Sequence, residues 1–238
     1  MKLSSYDRKQ IQITDLFGER FTGIADYCDS EYCLNEFGNS ENGIRIGNCV
    51  IYESQIASIE EVERHGTAEL WTQRLALRRY RLQDADNLYH FLGKDPAMYQ
   101  YSGWNPYATL EMAQQTVRCF IDNYEEEHFY GWAIDFEEVL IGTIGAYDYE
   151  NGRIEVGFSI VRNCWGQGYA TEALKEVLWY LTQNEHIPCV TAWCAEKNTG
   201  SRRVLEKAGM QLIRTETDSL SVNGITYDKL IYEFREKS

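Results

Sequence analysis

The stretch Asn163-Cys164-Trp165-Gly166-Gln167-Gly168-Tyr169-Ala170-Thr171-Glu172-Ala173 most narrows what this chain can fold into. It joins a strand-like run, Arg153 to Val161, to a helix-like run, Tyr169 to Leu181. The helix reading rests on an apolar stripe of Ala170, Leu174, Val177, Leu178 and Leu181 at helical spacing. A strand, a turn with two glycines and a helix start together build an anion cradle. The backbone N–H groups of the turn and of the helix N-terminus converge on one point, where both favour negative charge. Glycine at 166 and 168 lets the backbone approach a ligand with no Cβ between them. Two glycines in a turn are weak evidence alone. They gain weight from a second motif, Asn198-Thr199-Gly200-Ser201 running to Gly209, where another strand passes into another helix. Asn198 as an N-cap and Gly209 as a C-cap account for that motif without a ligand, and the two readings are compatible.

From Thr72 onward, strand and helix patterns alternate. Leu75 to Arg78 reads as a strand and Asp84 to Leu92 as a helix, with Asp84 its N-cap. Thr109 caps a helix whose Leu110, Ala113, Val117, Phe120, Ile121 and Tyr124 share a face. Phe129 to Ile134, Val139 to Tyr147 and Arg153 to Val161 are three strands with tight connections, hence an antiparallel meander. Strand Val190 to Ala195, helix Thr199 to Lys207 and strands Gln211 to Glu216 and Ile225 to Phe234 complete the pattern. The expected class is α+β, a central, mostly antiparallel sheet flanked by helices, over residues 67–238.

Residues 1–66 read differently. Short strands at Lys9 to Thr14, Phe21 to Cys28, Ile44 to Ile46, Cys49 to Tyr52 and Gln55 to Ile59 are separated by glycine turns, which predicts a small, strongly bent all-β barrel. Gly23 marks a bend in the second strand, and residues 60–66 read as a polar linker. The hairpin Gly18-Glu19-Arg20-Phe21-Thr22-Gly23 and the closing run Tyr52 to Ile59 resemble the Sm-like small barrels. That resemblance implies an RNA-binding or assembly module. This stretch, however, holds 6 Lys/Arg against 12 Asp/Glu, a balance that favours a protein-contact role over RNA.

The whole chain carries a net charge of −14. Such a surface repels phosphate backbones, so nucleic-acid binding is disfavoured, while encounter with cationic amines is helped. No apolar run is long enough to span a bilayer and the first residues have no signal-peptide core, so no membrane association and a cytoplasmic location are expected. The 7 Cys are an odd number, which argues for free thiols in a reducing compartment. Cys28/Cys33 and Cys189/Cys194 share a spacing that invites a metal reading. Cys189 and Cys194 fall on opposite faces of a strand, so buried thiols are favoured and no metal is expected.

Together the two glycine-bearing motifs resemble the GNAT superfamily of N-acetyltransferases, in its ribosomal-protein alanine/serine N-acetyltransferase branch. The match is carried by Trp165 to Ala173, by Asn198 and Ser201 with Leu205-Glu206-Lys207 and Gly209, and by Thr72 to Arg78. It spans about residues 70 to 236. The resemblance implies acetyl-CoA as co-substrate and a primary amine as acceptor, either a small cationic amine or a protein N-terminus. A homo-oligomer is compatible with it. By position, the backbone of Ser159, Ile160 and Val161 would pair with the pantetheine amides. Cys164, Trp165, Gly166, Gln167, Gly168, Tyr169, Ala170 and Thr171 would hold the pyrophosphate, and Asn198 would bond the pantetheine arm. Asn163 departs from the Gln or Arg usual at the start of that cradle.

An amine must lose a proton to attack, so a base is needed. The resemblance points to Glu155 as base or amine anchor, where the alternative is an exposed strand carboxylate. Asp135 and Asp148 are weaker candidates that read better as solvated turn carboxylates. Many relatives place a thiolate-protonating Tyr where this chain has Leu205. Ser201 would then supply a hydrogen bond to the thiolate, unless it serves only the helix start. Trp104, Tyr101 and Tyr130 are the expected substrate contacts, near Tyr99, Tyr107 and Phe129, with Trp132 assigned to the core. The missing tyrosine and the extra barrel also motivate another reading, an acyl-CoA-sensing protein whose barrel contacts a protein or RNA partner.

Overall fold

The computed structural model describes residues 2–62, 66–102, 104–124 and 126–235. The chain divides into two compact units, Met1–Leu70 and Trp71–Ser238. The linker expected over 60–66 falls partly outside the described residues, at 63–65.

In the first unit, β1 (Gln10–Asp15), β2 (Arg20–Ile24) and β6 (Ile56–Glu61) form one antiparallel sheet in the order β2-β1-β6. β3 (Asp26–Cys28), β4 (Gly43–Ile46) and β5 (Cys49–Tyr52) form a second. The strand expected over Phe21 to Cys28 is therefore two strands in two sheets. The break is at Ala25, whose N–H donates to the Lys9 carbonyl and whose carbonyl accepts from Arg8 N–H, each at 2.8 Å. A helix, α1 (Ser30–Phe37), was not expected. Its signals are local: the Asp29 carboxylate accepts from Tyr32 N–H at 2.8 Å and Gly38 closes the other end. Leu3, Ile11, Ile13, Ala25, Ile44 and Ile51 fill the core between the sheets.

The second unit is built on one sheet in the order β13-β14-β12-β11-β10-β9-β8-β7. The strands are β7 (Leu70–Trp71), β8 (Leu75–Arg78), β9 (Tyr130–Phe136), β10 (Val139–Glu150), β11 (Arg153–Ile160), β12 (Cys189–Ala195), β13 (Gln211–Val222) and β14 (Ile225–Phe234). β9, β10 and β11 form the expected antiparallel meander. α2 (Asp84–Leu88) runs into a π turn over Tyr89–Gly93, and α3 (Leu110–Asp122) starts at Thr109, whose hydroxyl accepts from Met112 N–H at 3.1 Å. Asp84 does not cap α2 as expected. Its carboxylate accepts both terminal nitrogens of Arg78 at 2.8 and 2.9 Å. Arg78 also grips Asp135, with Nε to Oδ2 at 2.5 Å. This buried triad ties α2 to strands β8 and β9, each charge meeting a partner as burial requires.

α4 (Tyr169–Gln183) buries Ala173, Leu174, Val177, Leu178 and Leu181. α5 (Thr199–Lys207) follows β12 and buries Leu205. Among the described residues no helix is long and apolar enough to cross a membrane.

Candidate active site

β11 and β12 are parallel neighbours only where Arg153–Glu155 faces Cys189–Thr191. Beyond that point β11 stays paired with β10 as far as Ile160, and β12 stays paired with β14 as far as Ala195. Each strand follows its other partner, so the two part and a gap opens in the middle of the sheet. The gap is the floor of a cavity of about 1180 Å³. Val156 to Ile160 line one side of it and Ala192 to Ala195 the other.

The parted edge of β11 is polar backbone. Val161 N–H donates to the Ile141 carbonyl at 2.8 Å. Backbone groups alternate sides along an antiparallel strand, so Ser159 and Gly157 also turn to β10, and Phe158 and Ile160 turn toward the gap. This corrects the expectation that Ser159, Ile160 and Val161 all offer backbone to a ligand: Ser159 and Val161 are committed to β10. Phe158, which the sequence reading passed over, takes their place. The Ile160 carbonyl is itself met by the Trp165 indole N–H at 2.6 Å.

The glycine turn lies at the same end. Gly166 and Gly168 have φ of 77° and 88°, a region that side chains avoid. Glu172 N–H is the amide that bonds back to Gly168 O, at 3.0 Å. The amides of Tyr169, Ala170 and Thr171 therefore precede the helical ladder and are free to bind an anion. Cys164, Gly166, Gly168, Ala170 and Thr171 line the cavity, whereas Gln167 and Val161 do not. Gln167 instead bonds the Asn163 carbonyl at 3.2 Å. Burial pushes the Cys164 thiol above its ordinary range, so it rests as a neutral thiol.

An ionic clamp holds this turn. Arg74 Nε donates to Glu172 at 2.7 Å and its Nη1 to the Gln167 carbonyl at 3.1 Å, while its guanidinium lies 4.5 Å over the Tyr169 ring. Thr72 Oγ1 meets the other Glu172 oxygen at 2.6 Å. Burial raises the Glu172 carboxyl, but the bonds from Thr72 and Arg74 outweigh it and hold it below the usual range. The sequence reading used Thr72 to Arg78 as a recognition feature and gave Arg74 no role at the site.

At the other motif, Asn198 Oδ1 accepts Ser201 N–H at 3.1 Å, so its oxygen caps α5. Asn198 and Ser201 both line the cavity, as does the buried Leu205.

Glu155 projects from β11 into the cavity just where the strands part. Its Oε1 accepts the Trp193 indole N–H at 2.9 Å. Burial lifts its carboxyl above the ordinary range, opposed by the Trp193 bond and by Lys229 and reinforced by Asp148. Tyr147 lies directly across from Glu155 on β10. Its hydroxyl leans over Gly157, where a Cβ would come within 2.5 Å of it. Burial, then Glu155 and Asp148, raise that hydroxyl to about 12, so it is a protonated donor at neutral pH.

Of the expected substrate contacts, Tyr101 and the exposed Trp104 line the cavity. Tyr130 does not. It is fully buried, its hydroxyl donates to Glu185 at 2.7 Å, and its ring stacks on Trp132 at 6.0 Å. Side chains alternate along β9, and Tyr130 shares the Trp132 face, which packs under α4 at Tyr180. Asp135 is locked to Arg78, and Asp148 is exposed outside the cavity wall. The described residues contain no group of three or more His, Cys, Asp or Glu placed to hold a metal ion, and all 7 cysteines are free thiols.

Residues 74–211 match the family described as the acetyltransferase (GNAT) domain. The uncharacterized N-acetyltransferase p20 of Bacillus licheniformis is 32% identical over 146 residues, which covers 60% of this chain and 82% of the relative. The uncharacterized N-acetyltransferase YoaA of Bacillus subtilis strain 168 is 29% identical over 167 residues, 68% of this chain and 94% of its own. Among solved structures, RimL, a ribosomal L7/L12 alpha-N-protein acetyltransferase in complex with coenzyme A, shares the fold with a TM-score of 0.64. The two are 19% identical, and the match covers 69% of this chain and 95% of RimL. The class is thereby set as an acyltransferase that takes its acyl group from a CoA thioester. The chain belongs to the GNAT acetyltransferases and is an acetyl-CoA-dependent N-acetyltransferase. The cavity fits that substrate: outward backbone groups on a parted strand suit an amide-bearing arm, and unpaired helix amides suit a pyrophosphate.

Proposed function

We propose that the acceptor is a primary amine, of a small molecule or of a protein N-terminus, and that Glu155 receives its proton. The observation that carries this is the Glu155 carboxylate, held by the Trp193 indole where the two strands part. Acetyl-CoA would lie with its pyrophosphate on the amides of Gly166 to Thr171. Its pantetheine arm would run along Phe158 and Ile160, and the Asn198 amide would reach it from α5. The thioester carbonyl then falls near the outward Phe158 backbone, whose N–H polarises it.

The amine binds as ammonium beside Glu155 and passes a proton to it. Nitrogen attacks the carbonyl carbon, the tetrahedral intermediate collapses, and the C–S bond breaks with its electron pair on sulfur. The thiolate needs a donor. Leu205 offers none and the Ser201 amide is engaged in the α5 cap. The Tyr147 hydroxyl over Gly157 is the better placed of the remaining hydroxyls, as a hydrogen-bond donor that keeps its own proton. RimL acts on a ribosomal protein N-terminus, which supports a peptide acceptor here as well.

The first unit, residues 1–66, we read as an Sm-like barrel that contacts a protein. Two small antiparallel sheets joined through the bent β2–β3 run support that reading, and the acid excess speaks against RNA. Unpaired thiols support a reducing, cytoplasmic location.

The test is to incubate the protein with acetyl-CoA and a panel of amines and N-terminal peptides while following free thiol. Turnover that depends on amine supports the reading. Tight acetyl-CoA binding with no turnover across the panel would sink it.

A further inference from the structure

We propose that the acceptor carries a single positive charge next to an apolar or aromatic group, and that amines with a second nearby cation are rejected. This rests on the reading of Glu155 as the group that meets the ammonium.

The argument is a census of charge in the cavity wall. Among the described residues, its charged side chains are Glu155, Arg203 and Lys207. Arg203 and Lys207 stand on α5, the helix that also carries Asn198 and Ser201 at its start. They suit the phosphates of the acyl donor. What remains for the acceptor is one carboxylate. The nearest other acids are engaged or outside: Asp135 is held by Arg78, Glu172 by Arg74, and Asp148 is exposed beyond the wall.

Around Glu155 the wall is aromatic, with Tyr99, Tyr101, Trp104, Tyr107, Phe129 and Tyr147. Several of these rings pack on each other. Tyr101 meets Tyr227 edge-on at 5.8 Å, and Phe129 lies against Phe120 at 5.3 Å. Rings so engaged form a flat apolar wall and do not fold into a cage around a cation. A second ammonium there would lose its water and gain only weak ring contacts, which do not offset its desolvation.

The net charge of −14 therefore misleads on selectivity. It raises the local concentration of every cation. The wall then selects among them against high charge, by leaving a second charge without a partner.

A matched pair tests this: n-pentylamine against 1,5-diaminopentane, and the peptide amides Phe-Gly against Lys-Gly. Thiol release gives kcat/KM, and calorimetry on the CoA-loaded protein gives Kd without chemistry. The singly charged member should be favoured by about tenfold or more in both measurements. Trp104→Glu, which adds a carboxylate at an exposed position of the wall, should narrow that gap. Equal or better binding of the doubly charged member overturns the proposal, as does failure of pentylamine to bind. Preferential binding of pentylamine with no acetylation of either amine would leave the charge selection standing and refute the proposed reaction instead.

Discussion

Trp193→Phe isolates the group that tunes Glu155. The substitution deletes one N–H and keeps a ring on β12 in place for Lys229, whose ammonium lies 4.7 Å from the indole centre. The lost bond, 2.9 Å from Nε1 to Oε1, stabilises the ionised carboxylate. Hydrogen bonds to charged groups contribute about 1.5–3 kcal/mol when buried. Glu155 is only partly buried, so solvent screening brings the figure to the low end, about 1.4 kcal/mol, or about one pKa unit. The sign follows directly. Burial already holds this carboxyl above the ordinary range, and loss of a bond to its charged form raises it further. A base must be ionised to accept a proton. The acidic limb of kcat/KM should therefore move up by about one pH unit in the variant, with about a tenfold loss below the limb and little loss above it. Lys229, Asp148 and Tyr147 also face Glu155 and are unchanged in both proteins. The assay is thiol release at subsaturating amine over roughly pH 5 to 9. A uniform loss at every pH, with the limb unmoved, would refute the reasoning: Trp193 would be structural and Glu155 would not set the limb.

Glu155→Gln should cut kcat by about 10² to 10⁴-fold with the KM for acetyl-CoA unchanged. It should also raise Tm at pH 7, because a carboxyl whose folded pKa is raised destabilises the fold once it ionises; that advantage should vanish at acid pH, as differential scanning calorimetry would show. Tyr147→Phe should lower kcat with acetyl-CoA and leave its KM alone, and an unchanged kcat would remove Tyr147 from the reaction. Gly168→Ala forces a side chain into φ of 88°. It should cost about 1 kcal/mol of stability and raise the KM for acetyl-CoA, as should Arg74→Ala, which frees Glu172 from its clamp.

Most elements of the second unit were legible because each carries its own local signal. The Thr109 cap, the helix Thr199–Lys207 and the strand Ile225–Phe234 appear where the sequence places them. The errors came where a partner far along the chain decides. Asp84 has the form of an N-cap, but a buried arginine six residues earlier claims its carboxylate. Tyr130 is one residue from Phe129, which does line the cavity; which of the two faces the cleft depends on strand phase, and an aromatic run does not declare its phase. Arg74 and Glu172 are ninety-eight residues apart, so no window of sequence contains both.

The acyl-donor edge shows why three adjacent residues could not all serve it. The phase of β11 is set by one bond beyond its end, Val161 N–H to Ile141 O. From there alternation assigns every second residue to β10 and leaves Phe158 and Ile160 facing the gap. Trp165 then takes the Ile160 carbonyl. The edge left for an incoming arm is the Ile160 N–H with the N–H and carbonyl of Phe158, a short ladder of two donors and one acceptor. Trp165 belongs to the glycine turn, so the turn that offers amides to the pyrophosphate also fixes the end of the strand that offers amides to the arm. The two halves of the donor site are thus joined by one indole, and displacing that ring would disturb both. This explains why a half-exposed tryptophan stands at the rim of a polar cradle: the ring spaces the turn from the strand, and its N–H sets their register.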